Sequence, residues 1–301
     1  LPVSATVRIP RNLSLKIGIL LATAALSLPA FLIAQPARAA TTLTASTLLI
    51  VPEARLLPQR HKLAIVIDDM GYSLHQAERI LRLPPELTLA MLPYAPHSRE
   101  IAEEASRAGR EIILHQPMEP LAGDQEPGTL ELDMSAERFE AQLEDSLARL
   151  PEIRGVNNHT GSLLTAHRGP MERLMHGISG RGLYFLDSRT TPDTVAESTA
   201  RAYHVPTIHR DVFLDHEITE PFLAHAFEKS VAIARRRGYA VVIAHPHPLT
   251  LEFLERALAG LPPDVELAQL STLIQGQLSP LDRRALALRG SPAFRSRSPG
   301  Q

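Results

Sequence analysis

Residues 64–71 read AIVIDDMG, four apolar residues running straight into two adjacent carboxylates, a methionine and a glycine. So short an apolar run reads as a strand, which puts Asp68 and Asp69 at its C-terminal end. The same design recurs along the chain. Leu87–Leu92 runs into Pro93-Tyr94, Ile112–Leu114 into His115, and Gly155-Val156 into Asn157-Asn158-His159. Leu183–Leu186 runs into Asp187-Ser188-Arg189, Val205–Ile208 into His209-Arg210-Asp211, and Ala240–Ala244 into His245-Pro246-His247. Reactive side chains gathered at strand C-termini are the layout of a (β/α) barrel active site, so the chain reads as an enzyme or a descendant of one.

Amphipathic stretches at 74–81, 98–108, 136–150, 170–180, 191–203, 221–238 and 250–260 separate the runs. In the third of them Phe139, Leu143, Leu147 and Leu150 return every three to four residues, the helical period. Gly109, Gly180, Gly182 and Gly238 follow helix ends, where glycine is the usual stop. Alternation of this kind predicts one parallel α/β domain over residues 61–275. Residues 1–40 read as an export signal. Arg8, Arg11 and Lys16 precede an uncharged apolar stretch at 17–34, and Ala37-Arg38-Ala39 supplies small residues before a cut near Ala40. That stretch also reaches the lower limit of a membrane span, so the alternative is an uncleaved tether to the inner membrane. Either way the domain is expected outside the cytoplasm, in the periplasm. Residues 41–60 read as a linker, and 276–301 as a disordered tail rich in Ser, Pro, Arg and Gly.

Lys and Arg number 31 against 33 Asp and Glu, a net charge of −2 that offers no basic face for nucleic acid. There is no cysteine, which removes thiol nucleophiles and thiolate zinc sites, so any metal must be held by His, Asp or Glu. The pair Asp68-Asp69 can divide its work, one carboxylate holding a cation and the other taking a proton from bound water. The alternative is that Asp69 caps the following helix. His115 and His159 are either satisfied core histidines or, with a carboxylate from a third strand end, a His₂-Asp metal site with open positions. Proline flanks hold His245 and His247 extended, so one faces the site and the other is structural or solvent-facing. Arg189, Arg210 and Asp211 either contact substrate or pair with one another to brace the mouth.

Taken in order, IDDMGY (67–72), LPYAPHSRE (92–100), ILHQPMEP (113–120), GVNNHTGSLLT (155–165), FLDSRTT (185–191), RDVFLD (210–215) and IAHPHPLTLEFL (243–254) resemble the NodB-like polysaccharide deacetylase superfamily, specifically its divergent polysaccharide deacetylase branch. The resemblance spans about residues 62–274. It implies a distorted (β/α) barrel of about seven parallel strands, in agreement with the number of apolar runs. It also implies that Asp69 binds a divalent metal, with Asp68 as general base. His159 resembles the first histidine of a His-x-x-x-His metal motif, and His245 the general acid that protonates the departing amine. Histidine ligands favour zinc, though the set also admits Mn, Fe, Co or Ni.

Two positions depart from the family pattern. The second motif histidine falls on Leu163, and His115, by its strand-end position, is the candidate for the missing ligand. The Arg-x-Pro-Tyr motif is also absent, with Asp187-Ser188-Arg189 in roughly its place. Tyrosines 72 and 94 are the obvious stacking platforms in a chain with no tryptophan and 4% aromatics, which suits a short substrate better than a long polymer. Tyr72, Tyr94, Asp187, Arg189, Arg210, Asp211 and His247 form the candidate substrate-binding set. The expected activity is metal-dependent hydrolysis, in the cell envelope, of an N- or O-acetylated carbohydrate such as a peptidoglycan fragment. The departures carry an alternative, an inactive envelope protein that binds glycan or a protein partner through the same mouth. A hydrolase with a non-sugar substrate is the third reading.

Overall fold

Along the first strand, side chains sort by parity into two separate cores. Leu63, Ile65 and Ile67 pack into a large cluster shared with the helices. Ala64 and Val66 join a smaller one with Ala90, Ile113, Tyr184, Leu186, Ile208, Val241 and Ile243, all from other strands. Side chains alternate across a pleated strand, so the large cluster lines the sheet's outer face and the small one its inner face. The structure, a computed structural model, describes residues 60–277 apart from Pro151. The signal or tether at 1–40, the linker up to 59 and the tail from 278 lie outside the described residues.

The elements in chain order are β1 (His61–Met70), α1 (Leu74–Leu81), β2 (Thr88–Met91), α2 (Ser98–Arg107), β3 (Glu111–Met118), α3 (Ala136–Arg149), β4 (Gly155–Thr160) and α4 (Arg168–Ile178). There follow β5 (Tyr184–Asp187), α5 (Ala196–Ala202), β6 (Thr207–His209), β7 (Val212–Phe213), α6 (Glu220–Arg237), β8 (Tyr239–Ala244), α7 (Pro248–Ala259), β9 (Val265–Leu267) and α8 (Leu270–Gln277). The strands form one sheet in the order β6-β5-β4-β3-β2-β1-β8-β7, with β9 added beside β1. Every pairing is parallel.

The sheet therefore has nine strands where the sequence predicts about seven. The two extra strands, Val212–Phe213 and Val265–Leu267, are too short to stand out as apolar runs. The stretch 191–203 is helical only over Ala196–Ala202. Ahead of it the hydroxyls of Thr191 and Thr194 accept the N–H groups of Asp193 and Ala196, and these local bonds compete with the helix.

Strands β6 and β7 lie at opposite ends of the sheet yet are separated by only Arg210 and Asp211. The Arg210 N–H reaches the Asp187 carbonyl at the end of β5, and the Asp211 N–H reaches Val241 on β8. A two-residue connection can join the sheet's two edges only if the sheet curls, so the chain itself closes the barrel where the hydrogen-bonded ladder does not. At the N-terminal end of the strands, Leu270, Leu273 and Ile274 of α8 pack into the inner cluster and plug the barrel floor. The opposite end stays open, and there the inner-face parity runs on from apolar residues to polar ones.

Candidate active site

The site is the last layer of the barrel interior. Two residues beyond Val66, Ile113, Leu186, Ile208 and Ile243 on the same face come Asp68, His115, Ser188, Arg210 and His245. Strand β4 has Gly155 at the inner position, where a Cβ would collide with the Tyr184 ring. Asn157 and His159 follow at the same parity.

Asp69 breaks this order. Neighbouring residues on a strand point to opposite faces, yet both carboxylates enter the barrel. The backbone explains it: Asp69 has φ 56°, and the β1–β2 register shifts between Ile67 and Met70. Asp69 is not the cap of α1, because Ser73 is, accepting from the Gln76 N–H. Asp69, Thr160 (φ 52°) and Arg189 (φ 49°) are three of the five non-glycine residues with positive φ among the described residues, and all lie at the mouth. For Thr160, a β-branched residue, this is a costly conformation, of order 1–3 kcal/mol. It is held by bonds from its hydroxyl to Met118 and to its carbonyl from Asn158 and Thr190.

Asp69, His115 and His159 converge from three strand ends. Asp69 Oδ1 lies 3.1 Å from His115 Nε2 and 2.9 Å from His159 Nδ1, and those two nitrogens are 3.1 Å apart. His115 Nδ1 is 2.8 Å from Asn157 Oδ1, while Asn157 Nδ2 donates to Asp68 Oδ1 at 3.0 Å. Asn157 Oδ1 thus accepts a hydrogen bond from His115 Nδ1–H, which in a neutral ring leaves the Nε2 lone pair facing Asp69 and His159. With neutral imidazoles, three electron-rich atoms would then face one another with no proton between His115 and Asp69. A divalent cation resolves that conflict, and edges of about 3 Å suit metal bonds of about 2.0–2.2 Å. The donor set therefore fits a metal. Leu163 lies beyond it, in the turn after β4, and His115 from β3 supplies the third donor.

The surrounding charges set the titration of each group. Where no cation is held, a proton must sit between Asp69 and the imidazoles instead: burial raises the Asp69 carboxyl, but hydrogen bonds from His115 and His159 then outweigh it and hold it far below the usual range. Asp68 is raised by burial, which the nearby His115 and His245 only partly offset. His115 is raised as well, since the two aspartates outweigh its burial.

On the opposite side stands His245, whose Nε2 is 3.9 Å from Asp69 Oδ2. Its Nδ1 is 2.9 Å from Asp215 Oδ1, and its backbone N–H donates to Asp215 Oδ2 at 2.7 Å. Burial opposes protonation of this ring, but Asp215, with Asp68 and Asp69, raises its pKa to about 9. Phe213 packs at 5.0 Å from the ring, and the Arg210 guanidinium lies 5.1 Å from Phe213. Sequence reasoning gave no role to Asp215 or Asn157, although both stand within the quoted motifs. The signal for Asp215 was the same as elsewhere, an apolar run into a carboxylate, but that run spans only Val212–Leu214.

The remaining candidates divide. Tyr72 is half exposed at the mouth, with its hydroxyl 2.7 Å from Glu126. Arg210 is fixed by bonds from Nε to the Ser188 carbonyl and from Nη2 to the Arg189 carbonyl, and burial lowers its pKa. Of the two readings of Arg189, Arg210 and Asp211, the mutual ion pair does not form. Arg189 reaches Glu197, while Asp211 pairs with Arg237 and accepts the Val241 N–H. Asp187 points away from the cluster and accepts from Arg189 N and the Thr194 hydroxyl. Tyr94 bonds Asp145 and Gln142 on α3, so its hydroxyl is not brought to the cluster. His247 takes the position before α7, its ring 6.0 Å from that of His245.

Comparison with known proteins bears on the family and the fold. The family model described as divergent polysaccharide deacetylase matches residues 65–274. An uncharacterized protein of Escherichia coli, YibQ, is 38% identical over 214 residues, 71% of this chain and 67% of that one. An uncharacterized protein of Haemophilus influenzae is 37% identical over 213 residues, covering 70% and 76%. The crystal structure of an uncharacterized protein from Agrobacterium tumefaciens superposes with a TM-score of 0.68 at 29% identity, over 71% of this chain and 89% of that one.

Proposed function

This chain belongs to the divergent polysaccharide deacetylase family, and we propose that it is a metal-dependent hydrolase that removes acetyl groups from an N- or O-acetylated carbohydrate of the cell envelope. The observation that carries the reading is the convergence of Asp69, His115 and His159 within 4.8 Å of one another. A divalent ion held there, zinc in this proposal, acidifies a water and polarises a carbonyl when bound. The chain's own residues supply the proton traffic. Asp68, its pKa raised by burial and its Oδ1 held by Asn157, takes a proton from the attacking water. His245 is protonated at neutral pH and oriented by Asp215, and it delivers its proton to the leaving nitrogen or oxygen. One C–O bond forms to the water oxygen and the C–N or ester C–O bond breaks, giving acetate and a free amine or alcohol.

The apolar 17–34 stretch supports an exported, periplasmic or membrane-tethered setting, and a peptidoglycan fragment is the proposed partner there. The test is elemental analysis of the purified protein beside Asp69→Ala and His159→Ala, together with acetate release from acetylated sugars. About one metal per chain, lost in both variants along with acetate release, is the expected result. No metal after incubation with Zn²⁺ overturns the proposal in favour of a glycan- or protein-binding role.

A further inference from the structure

The connection from β3 to α3 folds back on itself at the mouth as an Ω-shaped strap. Its two ends are pinned together: the Glu119 N–H donates to the Leu130 carbonyl and the Leu130 N–H to the Pro117 carbonyl, both at 2.9 Å. Further bonds tie the base down. Gln116 Nε2 donates to the Gly128 carbonyl at 3.0 Å, and the Glu119 carboxylate accepts the Leu132 N–H at 2.6 Å. The Leu163 and Leu164 N–H groups both reach the Glu119 carbonyl. Leu130 is buried in the large core cluster, and Gly128, at φ 83°, has the Tyr94 ring where a Cβ would stand. Tyr94, which does not reach the metal cluster, thus packs against the rear of the strap.

The tip, residues 120–127, is held differently. Among the described residues two hydrogen bonds join it to the rest of the protein, and both are exposed: the Leu121 N–H donates to Ser162 Oγ at 2.9 Å, and the Tyr72 hydroxyl to Glu126 at 2.7 Å. Exposed bonds exchange readily with water, so the tip can leave the rim while the base stays in place. Gly123, at φ 105° with open space around it, lets the tip turn sharply. Tyr72 stands three residues beyond Asp69, and Ser162 three beyond His159. The tip therefore bridges the ends of two strands that carry proposed metal ligands, and the strap itself continues the third, β3 with His115. On this tip Leu121 is 70% exposed, the most exposed large hydrophobic side chain among the described residues. An apolar group carried on a weakly held tip beside a reaction centre gains cover when the mouth is filled, and its burial then adds to binding.

We propose that this strap closes over substrate bound in the mouth, and that Leu121 is a specificity-determining residue which closure lays against the substrate's apolar surface. The inference rests on the deacetylase reading. The chain has no tryptophan, so Leu121→Trp places a single reporter at an exposed position on the tip. The zinc-loaded full chain is titrated with the β-1,4 dimer of N-acetylglucosamine. Emission should shift to the blue, and quenching by acrylamide should fall. In temperature-jump relaxation the rate should level off as the dimer concentration rises, because closure is a unimolecular step that follows binding. Adding Glu126→Ala to the reporter cuts one tether and should speed that step. Leu121→Ser should raise KM about tenfold, far more than it changes kcat, with metal content at the wild-type level; this is the fold-change of losing one apolar side chain from a buried contact. A relaxation rate that climbs in proportion to the dimer overturns the strap and leaves the deacetylase reading standing. So does an emission that stays unmoved while calorimetry shows the dimer bound. If wild type neither binds the dimer nor releases acetate from it, the deacetylase reading fails, and the strap inference with it.

Discussion

Strand β3 carries Glu111 at the barrel floor and His115 at its mouth, both buried on the same inner face with Ile113 between them. Glu111 is surrounded by neutral donors. The Tyr184 hydroxyl donates to it at 2.6 Å, Thr88 at 3.2 Å, and the Ser271 N–H in the first turn of α8 at 3.1 Å. The carboxylate thereby caps the helix that plugs the floor and satisfies its free N–H groups. At the mouth, His115 stands among Asp68, Asp69 and His159, all of them titratable side chains. Both ends bury charged or polar atoms, so burial alone does not mark a site. What separates them is whether the partners are fixed donors or titratable groups open to a ligand.

Exchanging the two residues' losses tests that contrast. His115→Ala should remove the metal and cut kcat/KM by about 10²–10³-fold, the scale of losing a main transition-state stabiliser, with the circular dichroism spectrum unchanged. Glu111→Ala should do the reverse. It strands the Tyr184 hydroxyl and the α8 N–H, so urea unfolding should show a loss of about 2–3 kcal/mol while metal content stays at the wild-type level. A Glu111→Ala protein that folds but holds no metal would break the comparison.

Asn157→Ala should weaken metal binding by about 10–100-fold in a chelator competition, because it orients His115 without touching the ion. The smallest effect concerns His245, whose pKa is about 9 in the folded chain against about 6.5 unfolded. A pKa raised on folding adds stability that is fully present below the unfolded value and lost as pH rises through the folded one. Metal-free wild type should therefore lose this contribution between about pH 6.5 and pH 9. Asp215→Asn should lower the His245 pKa and shrink that loss, and the difference between the two unfolding curves isolates it. In the active protein the same variant should move the alkaline limb of the kcat/KM profile downward.

Much of this was legible in the residues. The apolar runs marked seven of the nine strands, and the residues that followed them named Asp68, Asp69, His115, His159 and His245. The reason is local. A strand's C-terminal end shows in sequence as the point where hydrophobicity stops, and a barrel gathers those ends on one side. The two strands that escaped notice are two and three residues long, below the length at which a pattern can form.

Partnership was not legible. Nothing in the order of residues says that Tyr94 turns to α3 and Tyr72 to the mouth, or that Asp211 answers Arg237 while Asp215 answers His245. Nor does the adjacency of Asp68 and Asp69 reveal that a positive φ brings both carboxylates to one face. By itself the sequence determined which groups stand at the strand ends, because hydrophobic periodicity is written locally. Only the tertiary structure decided which of them meet, because the curl of the sheet brings together residues as far apart as Asp69 and His245 and sets the distances on which their chemistry depends.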